Sequence, residues 1–164
     1  MKHLVIDLAT LPDDGKSLTG EIDPEVFDLP THDPQPTSPM AFNLLAQRFG
    51  SELLLTGNLT ASFEFECVRT LHRFIQTIVI SDAAIAFEIT NQGEIDATEA
   101  MREEILLGFP THPRCDEADD PQTCEVDSRY LAVDKPTNDG VENPPRDEID
   151  DRWSALDALK PNDS

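Results

Sequence analysis

The longest regular pattern in the chain is an alternation of apolar and polar positions over residues 53–67. The apolar positions fall on every second residue and are Leu53, Leu55, Gly57, Leu59, Ala61, Phe63, Phe65 and Cys67. Successive side chains of a strand point to opposite faces, so the pattern predicts a long strand, or a bent hairpin, with one buried and one solvated face. Its buried row ends at Cys67, where a turn begins.

Shorter patterns on either side predict more strands. Residues 4–8 alternate and indicate a first strand. Residues 74–80 are rich in β-branched side chains, which predicts a strand that pairs back antiparallel on the long strand across a turn at 69–72. A further alternation over 85–89 predicts another strand after Ser81-Asp82. Residues 40–49 fit a strand or a short helix equally well, and periodicity does not decide between the two.

One segment, residues 96–107, carries the signals of an α-helix. Asp96 is a good N-cap residue, and Glu99 stands three positions later, at capping-box spacing. After the segment, Gly108 can adopt the left-handed conformation of a helix end, and Pro110 prevents continuation. The predicted buried stripe consists of Ala97, Ala100, Met101 and Ile105.

The remaining segments are rich in proline or acid. Residues 12–39 contain six prolines and predict an irregular connection with a short apolar clip at Val26, Phe27 and Leu29. Residues 114–164 are poor in apolar side chains and predict a mobile acidic tail. The end of that tail, at 151–160, has an amphipathic patch formed by Trp153, Leu156 and Leu159.

These elements predict an α+β fold: one domain over residues 1–113, with a mostly antiparallel, strongly curved sheet and one main helix, followed by the tail.

The net charge of the chain limits the classes of partner that it can bind. The sequence has 33 acidic and 12 basic residues, a formal net charge of -21. Such a field repels phosphate and favours basic partners over nucleic acid. Residues 1–7 lack the apolar core of a signal peptide, and no apolar run reaches the roughly 18 residues that span a membrane. With three cysteines, an odd number, reduced thiols in the cytoplasm are expected.

The sequence gives little indication of catalysis. Paired carboxylates occur in many places, and nothing marks a cleft that would separate their pKa values. No nucleophile elbow, oxyanion motif or phosphate-binding glycine-rich loop is present. We therefore expect a protein that is not an enzyme and needs no cofactor.

Four side chains invite comparison with a zinc site. Cys67, Cys115, Cys124 and His112 are residue types that bind structural zinc. Their spacing is poor, because Thr70 stands where the second thiolate of a Cys-x-x-Cys pair would be. The sequence therefore predicts no metal, a Cys67 that packs as a small apolar residue, and two thiols in the tail.

Basic residues are scarce, so those near the predicted hairpin turn are of interest. Arg69 and Arg73 either compensate the charges of Glu64 and Glu66 across the hairpin or make a small RNA contact. The sequence does not decide between these two interpretations.

Four segments, in this order, resemble the YceD family of large ribosomal RNA subunit accumulation proteins. The first ends in Cys67-Val68-Arg69-Thr70 and is similar to a family strand that ends in Cys-x-Arg-Cys. The others are similar to the family's acidic helix after Ile-Asp, its Leu-Pro-x-x-Pro-x-Cys stretch and its closing Asp-Pro-Arg-x-x-x-Leu-x-x-Leu. In this chain the segments are residues 55–70, 93–107, 109–115 and 151–160.

The chain departs from the family at several points. Thr70 replaces the second cysteine, and the cysteine-rich knuckle after the helix is reduced to Cys115 and Cys124. Asp151 precedes Arg152 without the usual proline. If the family's cysteines bind metal, the resemblance implies that this member has lost that ability.

The resemblance implies a non-enzymatic, bacterial, cytoplasmic factor that supports accumulation or processing of large-subunit rRNA. Its expected partner is a basic ribosomal protein or an assembly factor, with rRNA contacted indirectly and no membrane involved. The candidate binding residues are Arg69, Arg73, Trp153, Leu156 and Leu159. The alternative is an acidic adaptor or holding chaperone for a basic protein, without a dedicated ribosomal role.

Overall fold

The computed structural model describes residues 1–90, 93–126 and 129. Within these ranges the chain forms seven strands and one α-helix. The strands are β1 (Val5–Asp7), β2 (Lys16–Ile22), β3 (Gln35–Pro36), β4 (Met40–Phe49), β5 (Glu52–Glu66), β6 (Arg73–Glu88) and β7 (Glu94–Asp96), and the helix is α1 (Thr98–Leu107). β1 pairs with β7, and the larger sheet has the order β2-β4-β5-β3, with β6 also paired to β5. All these pairings are antiparallel, so the predicted α+β class and mostly antiparallel sheet are confirmed.

The alternation over 53–67 is β5, the central strand of the larger sheet. Its predicted apolar row is buried at every position except Gly57, which is half-buried. β6 pairs with β5 from Glu52 opposite Glu88 to Glu66 opposite Arg73, across the predicted turn. The long strand and its hairpin partner are therefore confirmed.

A β-bulge joins the two strands that the sequence predicts on either side of Ser81-Asp82. Gly57 pairs with Ala83 and Leu59 with Ile80, so residues 81–82 oppose a single residue of β5. The extra residue changes which side chains face the core: even-numbered residues of β6 before the bulge, and odd-numbered residues after it. The prediction of a separate second strand is therefore wrong. The bulge shifts the alternation of buried and exposed side chains within one continuous strand.

Residues 40–49 are a strand, β4. Its buried residues alternate and are Met40, Phe42, Leu44 and Ala46. β4 approaches β5 so closely at Gly57 that a Cβ atom there would lie 2.2 Å from the carbonyl oxygen of Asn43. Gly57 also has a φ of +146°, so this close approach of the two paired strands requires glycine.

The expectation of an irregular connection over 12–39 is wrong in part. β2 lies within it and pairs with β4 from Lys16 opposite Ala46 to Ile22 opposite Met40. β2 buries only Ile22 fully, so its sequence lacks a strong apolar row. The predicted clip is present: Phe27 is fully buried in a 3-10 turn, with Val26 and Leu29 partly buried beside it.

The helix begins at Thr98, two residues after the predicted N-cap, because Asp96 is the last residue of β7. The Asp96 carboxylate nevertheless accepts a hydrogen bond from the Thr98 backbone N–H at 2.9 Å. The predicted stripe is confirmed, with three residues fully buried and Ala100 partly buried. This stripe packs α1 against β5 and β6.

Gly108 ends the helix, but not in the predicted left-handed conformation. Its φ is -77° and its ψ is -3°, which any residue adopts. Glycine fits here for a packing reason, because a Cβ atom would lie 2.8 Å from Cδ1 of Ile80 and 2.9 Å from Cγ2 of Ile78.

Aromatic rings fill the core between β5 and the segment after α1. Phe63 makes edge contacts with Phe27 and Phe109, at centroid distances of 4.8 and 4.7 Å. Phe65 contacts Phe109 at 5.2 Å and stacks on Phe74 at 6.0 Å. This cluster holds the chain after the helix against the hairpin end of β5.

Candidate functional site

The end of the β5–β6 hairpin is a tight turn that begins at Cys67. The Cys67 N–H donates to the carbonyl oxygen of His72, and the Leu71 N–H donates to that of Cys67, both at 2.9 Å. Leu71 takes a left-handed φ of 59°, which is uncommon for a leucine. These bonds fix the backbone on both sides of Cys67 and turn its side chain into the core, where it is fully buried.

The chain after α1 folds back over this turn. The Val68 N–H donates to the Pro113 carbonyl at 2.9 Å, and a 3-10 turn at Cys115–Glu117 follows. Further on, the Asp119 N–H donates to the Ile75 carbonyl at 3.0 Å. The segment 113–119 is therefore attached both to the hairpin turn and to β6.

The folded-back segment brings three thiols together. Sγ of Cys67 and Sγ of Cys124 are 3.5 Å apart, and all three Sγ atoms, that of Cys115 included, lie within 4.8 Å of one another. Cys67 and Cys115 are buried and Cys124 is half-buried, all as free cysteines. The sequence predicts two thiols in the tail, whereas in the structure residues 115–124 pack on the hairpin and bring both sulfurs to Cys67. His112 is exposed and is not part of this three-cysteine cluster.

Thr70, three residues after Cys67 in the turn, lies against the cluster. Its hydroxyl oxygen lies 3.6 Å from Sγ of Cys115. The same hydroxyl is near the His72 backbone N–H, at 3.4 Å. Thr70 thus contributes a polar oxygen to a group of three sulfur atoms.

The surroundings of the thiols favour the ionised form of Cys67. Burial alone raises the pKa of Cys67, but hydrogen bonds from the Thr70 hydroxyl and from the backbone of Thr70, Arg69 and Cys115 outweigh it and lower the pKa to about 6. The pKa of Cys115 is raised: its hydrogen bond with Thr70 lowers it, but burial and the neighbouring thiols of Cys124 and Cys67 prevail. Cys67 is therefore more easily ionised than Cys115.

Arg114 places a positive charge beside Cys124. Its guanidinium interacts with the Cys124 thiol and forms ion pairs with Asp116 and, at 3.7 Å, with Glu117. These partners, Asp116 first, raise the pKa of Arg114. A cation held in place next to a cluster of thiols stabilises negative charge on sulfur.

The two arginines singled out in the sequence lie at the same end of the hairpin. Nη1 of Arg73 is 2.7 Å from Oε2 of Glu64, so the predicted charge compensation across the strands is confirmed there. Arg69 is exposed in the turn. The other candidate binding residues, Trp153, Leu156 and Leu159, lie outside the described residues.

An exposed apolar surface near the turn was not expected from the sequence. Ile75 and Val79 lie on the outer face of β6, with Thr77 between them, and Val68 and Leu71 lie in the turn. We call these four residues the hairpin patch. The β-branched run over 75–80 carried the signal for it, because such a run supplies apolar side chains to both faces of a strand.

Comparison of the chain with models of protein families, with curated proteins and with solved structures gives no match. No helix in the described ranges has both the length and the apolar character needed to cross a bilayer.

Proposed function

We propose that this chain is a non-enzymatic ribosome-biogenesis factor of the YceD type, which supports accumulation or processing of large-subunit rRNA in the cytoplasm. The observation that supports this best is the meeting of three separate segments in one part of the fold. Residues 55–70, 93–107 and 109–115 carry the family resemblance. The helix α1 packs against β5 and β6, Phe109 contacts Phe63, and the Val68 N–H donates to the Pro113 carbonyl.

The charge of the chain supports a protein partner. At a net charge of -21, long-range attraction raises the rate of encounter with basic ribosomal proteins and repels bare RNA. The proposed role is therefore to hold a basic ribosomal protein, or a basic assembly factor, while the rRNA is processed.

The hairpin patch supplies an apolar contact surface for that partner. Leu71 and Val79 are 69% and 58% exposed, and Leu71 lies between Arg69 and Arg73 along the chain. Apolar side chains grouped on a charged surface are typical of protein-binding sites. Trp153, Leu156 and Leu159 remain candidate anchors on the strength of their sequence pattern alone.

The first experiment is capture of the tagged chain from its own cells, at low and at physiological salt, followed by identification of bound protein and RNA. Ribosomal proteins or assembly factors in the eluate, together with a lower ratio of large- to small-subunit rRNA when the gene is removed, support the proposal. A single basic client and an unchanged rRNA ratio would instead indicate an acidic adaptor without a ribosomal role.

A pair of variants tests the binding surface. Ile75→Thr with Val79→Thr keeps β-branched side chains on β6 while removing apolar surface, and should weaken capture of the partner. Leu107→Gln is the matched control, because Leu107, at 81%, is the most exposed large apolar side chain among the described residues and lies on the helix instead. Equal capture by both variants would remove the hairpin patch from the proposal.

A further inference from the structure

We propose that Cys67, Cys115 and Cys124 form a binding site for one zinc ion, with the Thr70 hydroxyl at the fourth corner of a tetrahedron. This inference does not depend on the proposed function. The spacing along the sequence predicts no metal, and the case for the site comes from the arrangement in space.

The distances between the donor atoms fit a tetrahedral zinc. A Zn–S bond of about 2.3 Å places two thiolates of a tetrahedron about 3.8 Å apart. The Cys67 and Cys124 sulfurs are 3.5 Å apart and all three lie within 4.8 Å, so the cluster needs only small shifts to close on an ion. A disulfide would require an S–S separation of about 2 Å.

Thr70 also lies at a suitable distance. With a Zn–O bond of about 2.1 Å, the sulfur-to-oxygen edge of the same tetrahedron is about 3.6 Å. The distance from Oγ1 of Thr70 to Sγ of Cys115 is 3.6 Å. A fourth donor beside the three thiols favours four-coordinate zinc over three-coordinate copper(I).

The types of donor atom narrow the choice of metal ion. Three sulfur atoms suit a thiophilic ion and are poor ligands for magnesium or calcium, which prefer carboxylate and carbonyl oxygens. In the described part of the chain, the group of possible metal ligands that lie within 4.8 Å of one another consists of cysteine sulfurs and includes no carboxylate.

The surroundings hold these donors in place before any ion arrives. Hydrogen bonds from the backbone of Arg69 and Thr70 orient the Cys67 sulfur, as the partners behind metal ligands commonly do. The Gln122 N–H donates to the Cys115 carbonyl at 2.9 Å, which closes the loop between Cys115 and Cys124. A bound ion would therefore join the hairpin turn to the segment after the helix.

The test uses the full chain, reduced and stripped of metal with a chelator. Zinc is titrated in competition with a coloured chelator, and cobalt(II) is added in a second titration. We expect one ion per chain, with the sulfur-to-cobalt charge-transfer bands and the intense visible bands of a tetrahedral thiolate site. Zinc should also raise the melting temperature, because it binds the folded arrangement.

Substitutions separate ligands from neighbours. Cys115→Ser and Cys124→Ser should weaken zinc binding by more than about 100-fold, beyond the 10- to 100-fold typical of outer-shell partners. His112→Ala is the control and should leave the dissociation constant unchanged, since His112 is exposed outside the cluster. Thr70→Cys should tighten binding by about tenfold or more, because a fourth thiolate replaces a weak hydroxyl donor.

Thr70→Cys also covers the case in which a cysteine variant fails to fold, since it keeps all three thiolates and replaces only the hydroxyl donor. Absence of zinc and cobalt binding by the reduced wild-type chain would overturn the proposal. So would Cys115→Ser or Cys124→Ser variants that bind zinc as tightly as the His112→Ala control.

Discussion

At the scale of single residues, Asp96 shows how one carboxylate serves two partners at the start of the helix. Oδ1 accepts the Thr98 N–H at 2.9 Å, and Oδ2 lies 3.3 Å from Nδ1 of His3. Asp96→Ala removes both interactions and should cost about 1 kcal/mol of unfolding free energy at neutral pH. Asp96→Asn keeps an acceptor for Thr98 and should cost less. Denaturant unfolding measures both, and equal midpoints for all three proteins would show that residue 96 does not cap the helix.

The same residue gives a pH dependence. Burial raises the pKa of Asp96, but the hydrogen bonds from Thr98 and the charge of His3 outweigh it, so the pKa is lowered in the folded state. A carboxyl with a lowered folded pKa contributes stability above its unfolded pKa of about 4, and that stability is lost as the pH falls through the folded pKa. The difference in stability between wild type and Asp96→Ala should therefore shrink on acidification from neutral pH to about pH 3. A difference that stays constant over this range would contradict the assignment.

Phe63 is a core residue whose loss should damage the packing severely. It is fully buried and contacts Phe27 and Phe109 edge to face. Phe63→Ala should lower the unfolding free energy by about 3–5 kcal/mol, since it opens a cavity between β5 and the segment after the helix. Phe49→Ala is the control: Phe49 is 56% exposed at the end of β4, and its loss should cost under about 0.5 kcal/mol. Similar midpoints for the two variants would contradict the packing described for Phe63.

At the scale of elements, one side chain fastens the segment after the helix to β6. The Asp119 carboxylate accepts hydrogen bonds from the Thr77 N–H at 2.8 Å and the Thr77 hydroxyl at 2.6 Å. Asp119→Ala should cost about 1–2 kcal/mol, because both contacts are exposed to solvent. It should also speed the reaction of Cys115 and Cys124 with a thiol reagent. Asp120→Ala, a change of equal charge at the next residue, should do neither, and identical thiol reactivity in the two variants would exclude a fastening role for Asp119.

Elements with two distinct faces were predictable from the sequence, and β2, which lies at a sheet edge and lacks a buried row, was not. β5 buries one complete row of side chains, so its alternation identifies it without any knowledge of the fold. β2 buries one residue fully, and its place in the sheet depends on β4, which lies 18 residues beyond its end. The bulge in β6 escaped prediction for a similar reason, since an extra residue has meaning only relative to the partner strand.

One part of the candidate site was predictable from the local sequence, and the other part depends on contacts between distant segments. The turn at 67–70 was visible in the sequence because the buried row of β5 leads into it. The contact of Cys67 with Cys124 spans 57 residues and depends on the path of the chain after the helix, which carries no periodic pattern. Spacing along the sequence can identify metal ligands that lie in the same turn. It cannot identify ligands on a distant segment that folds back onto that turn.

At the scale of the whole molecule, we expect the excess of acid over base to govern association with the proposed basic partner. Attraction between the chain and a basic partner acts over the screening length, which is about 10 Å at 0.1 M salt and shorter at higher salt. Binding of ribosomal proteins stripped from RNA should therefore weaken steeply as salt is raised, mainly through a slower association rate. The apolar contacts of the hairpin patch should be insensitive to salt, so a residual affinity should persist at high salt and disappear in the Ile75→Thr, Val79→Thr variant.

The opposite behaviour is expected with RNA. Carboxylates and phosphates repel each other, and a net charge of -21 leaves little room for a basic groove, so naked large-subunit rRNA should bind weakly at physiological salt. Filter binding or gel shift of rRNA fragments, with and without added ribosomal protein, measures this directly. The proposal requires that rRNA be retained only when the basic protein is present. If rRNA alone binds tightly, the contact is direct, and Arg69 and Arg73 become the first residues to substitute. Replacing them with glutamine should then reduce the salt dependence of rRNA binding by about one phosphate contact each.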